Sequence, residues 1–566
     1  MSWDIRVVVG LDFGTTYSGF TYRHVDGDRY ITNDRWPGER GQCQFKTNTV
    51  LQYEENLTDV KAWGYPALSK RPSSRSDKNE RTYVVELFKL HLGDLDEEHR
   101  RRLSTVVDYK KAITDYLREI GMCMKRTVES EWEGIEFLKH ALLVITVPAE
   151  YPEGAKAIMR ECAYNAGLIA DKKSEQLQFT TEPEAAAIYC MDNLREHDLE
   201  TSGTIFMIVD CGGGTVDLTT RKLLDKDRLG EITVRAGDYC GSTFIDAEFI
   251  KYLREELGEV MDMLENSYYG QMQYMIQEFC RHVKLPFTGD DPDFSFIMNL
   301  EEVAPILSLY ASDEVKRKMD EKEWMIRLDY ATIKSMFDPV VERILRMISA
   351  QLDNCREKCS IMFLVGGFGQ SVYLQNRIKQ EFLRHRVDNI SVPTNPIAAI
   401  SRGAAIYGQS FRHIDDTINM NGLKFIIDSR VLKFTYGVKI LSAWKPGDPP
   451  ERNNGFLYRF YTIVRKGTEV KTDEEFSADN FCPCFPFQKT GLFEIYYTRE
   501  YDANFIDEPG MKLLGKLKID WPDVELGTKR PTTFKLTFGR MEITATANNR
   551  INGQTYQTTL EINAED

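Results

Sequence analysis

No apolar run in this 566-residue chain approaches the roughly twenty residues that a bilayer-spanning helix needs. The opening stretch, MSWDIRVVVG, goes straight into a strand pattern and lacks the layout of a secretory signal. Positive charge is in deficit, with 72 Lys and Arg against 87 Asp and Glu, a formal net charge of -15. That balance favours solubility and argues against a general binder of nucleic acid or anionic membrane. Metal-type spacing is lacking too. Cys482-Pro-Cys484 and the Cys355 and Cys359 pair are poorly spaced for zinc, with no histidine pair nearby. The 11 cysteines are odd in number and scattered. Cys162, Cys190, Cys211 and Cys280 lie in apolar stretches and read as small buried hydrophobes, which points to reduced thiols and a cytoplasmic location.

The chain does contain ordinary globular material, 42% hydrophobic and 28% charged, in a length that suggests roughly three or four domains. Its most informative stretch is IFMIVDCGGGTVDLT at 205–219. An apolar run ends in Asp210; Gly212, Gly213 and Gly214 follow, then Thr215, Asp217 and more apolar residues. The pattern predicts strand, tight turn, strand, with a concave row of backbone N–H groups suited to an anion. A carboxylate at the mouth of an anion site needs a cation between the two, and Mg²⁺ on a polyphosphate meets that need. The bland alternative is a glycine-rich hairpin that binds nothing. VVVGLDFGTTYSGF at 7–20 repeats the device with Asp12, Gly14, Thr15, Thr16 and Ser18. Two copies about two hundred residues apart suggest a duplicated fold whose hairpins grip one phosphate chain from opposite sides.

Residues 21–80 read as turn-rich, with KRPSSRSDKNER from 70 an exposed loop. Lys89, flanked by Phe88 and Leu90, has two readings: a stem that snorkels to water, which spacing alone favours, or a point charge aimed at phosphate. A helix is predicted over 108–128 and another after the strand that stops at Pro148. FTTEPEAAAIYC at 179–190 places Glu182 at a strand-to-helix corner, where an acid either favours the helix N-terminus or orients water. Residues 259–330 read as mostly helical and charged, with a looser DDPDFSFIMNL stretch, and a helix is predicted over 336–352. Gly366 and Gly367 stand between a buried strand and a helix, and 395–408 reads as a close-packing helix of small residues. Beyond about 410 a period of two takes over, so 431–566 reads as an antiparallel β domain. FCPCFPF at 481–487 reads as a loop packed on that domain or, alternatively, an exposed apolar surface.

GLDFGTTYSGF, VPAEYPEGAKAIMREC, TEPEAAAIY, VDCGGGTVDLT and FLVGGF resemble the phosphate and connecting motifs of the actin-like ATPases, and more narrowly those of the heat shock protein 70 (DnaK-like) chaperones. LKFTYGVKILSAW, YYTREYDANFIDEPGMKLLGKLKID and FGRMEITATA resemble that family's substrate-binding β domain. Within the family the wording is most similar to the atypical member-twelve branch. The resemblance implies an α/β chain: a duplicated actin-like (ribonuclease H-like) ATPase fold of two lobes, then an antiparallel β-sandwich without a helical lid. Lobe I would take 1–200 with 392–412 returning to it, lobe II 201–391, a linker 413–430 and the β domain 431–566.

The resemblance also implies roles. Asp12 and Asp210 would hold Mg²⁺ through waters. Gly14, Thr15, Thr16 and Tyr17 would contact the phosphates of ATP or ADP from one hairpin, and Gly212, Gly213, Gly214 and Thr215 from the other. Asp217 would support the second hairpin. Lys89 matches the phosphate lysine and Glu182 the water-orienting acid. Gly366 and Gly367 would cradle the nucleoside, with Glu278 and Lys284 toward the ribose. Three departures stand out. Leu285 and Gln370 occupy the positions of two adenine-stacking arginines, each such contact worth roughly one or two kcal/mol. The acidic-leucine linker is replaced by SRVLKF with Lys433, and no lid segment is expected after the β domain.

Three functions are compatible with these residues. One is a weak Mg-dependent ATPase, chaperone-like, coupling nucleotide state to a client polypeptide or partner protein at the β domain, with co-chaperones as further partners. The second is a nucleotide-gated scaffold with negligible turnover. The third, ranked last, is a small-molecule kinase of the same superfold.

Overall fold

The computed structural model describes residues 4–38, 44–68, 70–72, 83–93, 106–149, 151, 153–224, 228–410, 427–449, 455–471, 474–538 and 543–559. The predicted loop from 70 falls mostly outside these residues, as does the predicted linker up to 426. The chain forms two compact units. The first holds Met1–Glu150, Met159–Thr219 and Ala236–Met420; the second holds Tyr151–Ile158, Thr220–Arg235 and Asn421–Asp566.

The first unit is built on a hairpin of strands β1 (Val7–Asp12) and β2 (Tyr17–His24). After helix α1 (Tyr109–Glu131) the chain adds β3 (Ala141–Val147) parallel to β1. Then β4 (Leu177–Thr181) joins parallel to β3, and helix α2 (Glu182–Glu196) follows at once. The resulting strand order, from one edge, is Ile31–Thr32, β2, β1, β3, β4. Every residue of β1 and β3 is buried. That is why both read as unbroken apolar runs: parallel strands are covered on both faces.

The pattern then recurs. β5 (Ile205–Cys211) and β6 (Val216–Leu224) form a second glycine-cornered hairpin. After a long helix α3 (Tyr330–Asn354), β7 (Ile361–Val365) adds parallel to β5, and Asn389–Ser391 adds parallel to β7. Both sheets place the hairpin on one side and two parallel strands on the other. α3 starts six residues before the predicted 336, because the Asp329 side chain accepts the Thr332 N–H and caps it. Helix α4 (Ala399–Ser410) packs against α2 as its small residues predict: a Cβ at Gly403 would lie 1.7 Å from the carbonyl oxygen of Ala185.

Residues 259–330 are mostly helical, as expected, and the looser stretch holds a strand. Helices Val260–Ser267 and Tyr269–Phe279 are present, but Phe296–Asn299 pairs antiparallel with Met325–Leu328. The charged residues around these two short runs conceal a four-residue alternation.

The second unit holds two four-stranded antiparallel sheets. One runs Phe456–Val464, Thr435–Ala443, Thr490–Thr498, Lys512–Asp520; the other Glu475–Phe481, Thr532–Thr537, Thr544–Asn549, Thr555–Thr559. Val438, Ile495, Phe534 and Leu536, drawn from both sheets, share one buried cluster. The hairpin of β6 and Arg228–Glu231 also belongs to this unit from Thr220 onward. Its Arg221 and Glu231 are fully buried and paired at 3.2 Å, and the second oxygen of Glu231 accepts the Val431 N–H at 2.7 Å. A buried charge persists in a fold only when partnered in this way.

The packed-loop reading of 481–487 is corrected. Phe481 is half-buried against Phe493 and Phe534, but Phe485 and Phe487 are 68% and 83% exposed. The turn is held from beneath by Arg530, wholly buried, which donates to the carbonyl oxygens of Pro486, Gln488, Trp521 and Gly527. The aromatic rings therefore point outward from a rigid base.

Candidate functional site

The two glycine corners of the first unit meet. A Cβ at Gly213 would lie 2.1 Å from Thr16 Oγ1, and one at Gly214 would lie 2.8 Å from Thr15 Oγ1. Only hydrogen fits at either glycine. The β1–β2 corner contributes Asp12, Gly14, Thr15, Thr16 and Tyr17 to one cavity. The β5–β6 corner contributes Asp210, Gly212, Gly213, Gly214 and Thr215 to the same cavity. Gly366 and Gly367, at the end of β7, complete the wall. Gly366 has φ of +80°, and its absent Cβ would lie 2.5 Å from Asp210 Oδ1. The hydroxyl of Thr243 and its N–H both donate to the Gly213 carbonyl, fixing the second corner from behind.

Glu182 lines this cavity from the first residue of α2. Lys89 Nζ donates to Glu182 Oε1 at 2.7 Å, and Lys89 is 1% exposed. The snorkelling reading of Lys89 is thereby overturned: its short 3₁₀ helix, Phe88–Leu92, is buried along most of its length, so the ammonium turns inward to a carboxylate. Asp217 lies behind the corner, where its Oδ1 accepts the Ala149 N–H at 2.7 Å and ties β6 to the end of β3.

Charge is concentrated here. Burial, reinforced by Glu182, Asp217 and Asp12, holds the Asp210 carboxyl well above the ordinary carboxylate range. Burial likewise raises Glu182, opposed by the adjoining Lys89. Asp210 Oδ1 is buried without a hydrogen-bond partner. An orphaned carboxylate oxygen among other acids, beside bare backbone, is a set of donors that fits a hydrated divalent cation.

Lys46, which sequence reasoning missed, also lines the cavity, with Nζ 2.6 Å from Asp12 Oδ2. The contact is an ion pair. The apolar wall of Ile397 and Ile400 was missed as well.

The proposed ribose and adenine residues stand apart from the cavity lining. Lys284 is committed to Asp246 at 2.6 and 2.7 Å, which raises its pKa against the opposing effect of burial. Glu278 pairs with Arg281 at 2.6 Å and faces His282. Leu285 is 75% exposed and Gln370 is exposed, and neither side chain is a cation. Among the described residues no cluster of His, Cys, Asp and Glu has the form of an all-protein metal site, and no helix is long and apolar enough to cross a membrane.

Residues 119–421, more than half of the chain, match the family described as Hsp70 protein. Human heat shock 70 kDa protein 12A is 26% identical, with 96% of this chain and 89% of that protein aligned. Human heat shock 70 kDa protein 12B is 25% identical over the same shares. The chaperone protein HscA homolog of Acinetobacter baumannii is 24% identical over 71% of this chain and 57% of its own length.

Proposed function

Because this chain belongs to the Hsp70 family, with its ATP-binding actin-like domain, we propose that it is a weak Mg-dependent ATPase whose nucleotide state governs a client or partner protein at the C-terminal β domain. In this reading the two repeated sheets are the lobes of the ATPase, 1–200 with 392–412 and 201–391. The linker is 413–430, and 431–566 is a β-sandwich in a cytoplasmic protein.

One observation supports the reading above all others: Thr15 and Thr16 abut Gly213 and Gly214, with Asp12, Asp210 and Glu182 facing one cavity. Backbone N–H groups of the two corners cradle the phosphates. Asp12 and Asp210 would hold magnesium, which when bound would supply neutralising charge at the phosphates. Glu182 orients water, and Lys89, anchored to it, fixes its direction. Phosphoryl transfer to water needs little covalent help, so these positioning contacts carry the rate.

A second reading keeps the site but not the turnover. The exposed Leu285 and Gln370, where two arginines would grip adenine, favour a nucleotide-gated scaffold of low affinity. Steady-state phosphate release separates the two. The ATPase reading expects Mg-dependent release that falls at least about tenfold in Glu182→Ala with ADP affinity little changed. Release indistinguishable from buffer leaves the scaffold; release unchanged in Glu182→Ala overturns the role of Glu182.

A further inference from the structure

Three carboxylates line the cavity, Asp12, Glu182 and Asp210, and Asp217 lies behind the second corner. Two ammonium groups lie among them. Lys89 is committed to Glu182. Lys46 is the second, with a side chain only 8% exposed and its Nζ on Asp12.

The approach of Lys46 is built into the hairpin. Asp12 on β1 pairs with Gly19 on β2, and the Thr47–Asn48 strand pairs with Tyr17 and Ser18. That register brings Lys46 across Gly19. A Cβ at Gly19 would lie 2.9 Å from Lys46 Cγ, so the lysine stem crosses β2 where a side chain is missing and reaches the acid on the far strand. The ammonium then sits in the cavity that Gly14, Thr15 and Gly213 also line.

We propose that Lys46 is a phosphate-binding residue of the nucleotide site that supplies part of the positive charge otherwise brought by the divalent cation. The inference rests on the nucleotide reading above. Asp12 already has a resident cation, whereas Asp210 Oδ1 has no partner. An ammonium on a flexible stem is a point charge that transfers readily from a carboxylate to a phosphate oxygen. Removal of the divalent cation therefore leaves the phosphates facing a site that is still partly neutralised.

The test is calorimetry with ADP, in magnesium and in EDTA, on the full chain and on Lys46→Met, with Lys46→Gln as a second variant should the first fail to fold. The ratio of the two dissociation constants reads the demand for the divalent cation and is insensitive to a loss of folded fraction. The parent is expected to weaken by less than about tenfold in EDTA, and the variant by at least about a hundredfold. A variant with the ratio of the parent overturns the inference alone, as does a parent that weakens by more than about a hundredfold in EDTA. A parent that binds ADP in neither buffer overturns the nucleotide reading and this inference with it.

Discussion

Asp210 sits in unfavourable surroundings for a carboxylate. Its carboxyl is held well above the ordinary range by burial and by three neighbouring acids. A carboxyl raised in the folded state binds more protons there than in the unfolded chain, so stability falls as pH rises from its unfolded value, near 4, toward the folded one. Asp210→Asn removes that penalty. Without ligand its unfolding midpoint is expected to exceed the parent's by about 2 °C at neutral pH, with the gap closing toward about pH 4. Calorimetry at several pH values reads the difference, and a midpoint lower than the parent's at neutral pH contradicts the account. The same variant should lose magnesium-dependent nucleotide affinity.

At this scale the sequence was legible wherever chemistry and glycine coincided. The Asp12 and Asp210 corners could be read because each acid ends an apolar run and opens a turn. Lys89 could not be assigned from spacing, since burial depends on a carboxylate 93 residues away. Lys46 carried no local signal at all; its position follows from strand register and the gap at Gly19.

Among elements, the turn after β7 and the turn over Arg530 are tightly determined. Gly366→Ala places a methyl group on Asp210 Oδ1 and on the Cys211 carbonyl in a left-handed conformation. The strain alone costs about 1–2 kcal/mol, so the variant should melt earlier and bind ADP more weakly in titration calorimetry. Arg530→Met leaves four carbonyl oxygens without their donor, and a loss of about 3 kcal/mol is expected in urea unfolding followed by tryptophan fluorescence. A change under 1 kcal/mol, roughly a surface substitution, means that water replaces the guanidinium. The long periodic helices and the alternating strands were readable because each has a clear face. Phe296–Asn299 and Met325–Leu328 were not, since four residues are too few to show a period and their pairing is non-local.

For the whole molecule, linkage gives the broadest check on the site. ADP that binds only the folded chain should stabilise it by about 2.7 kcal/mol at a hundredfold excess over its Kd. A melting midpoint that ignores ADP up to millimolar levels opposes the nucleotide reading directly. The net charge of -15 makes a second expectation: the protein should pass through a heparin column at physiological salt and bind an anion exchanger. Composition conveyed this general character, but it could not reveal that two aromatic rings stand out from the second unit.

The turn that presents those rings also carries Cys482 and Cys484, both exposed, whereas the other cysteines among the described residues are buried or half-buried. A maleimide dye added to native protein should accordingly attach there first. Untouched by mutagenesis, the chain offers a ready spectroscopic reporter beside its outward-facing phenylalanines.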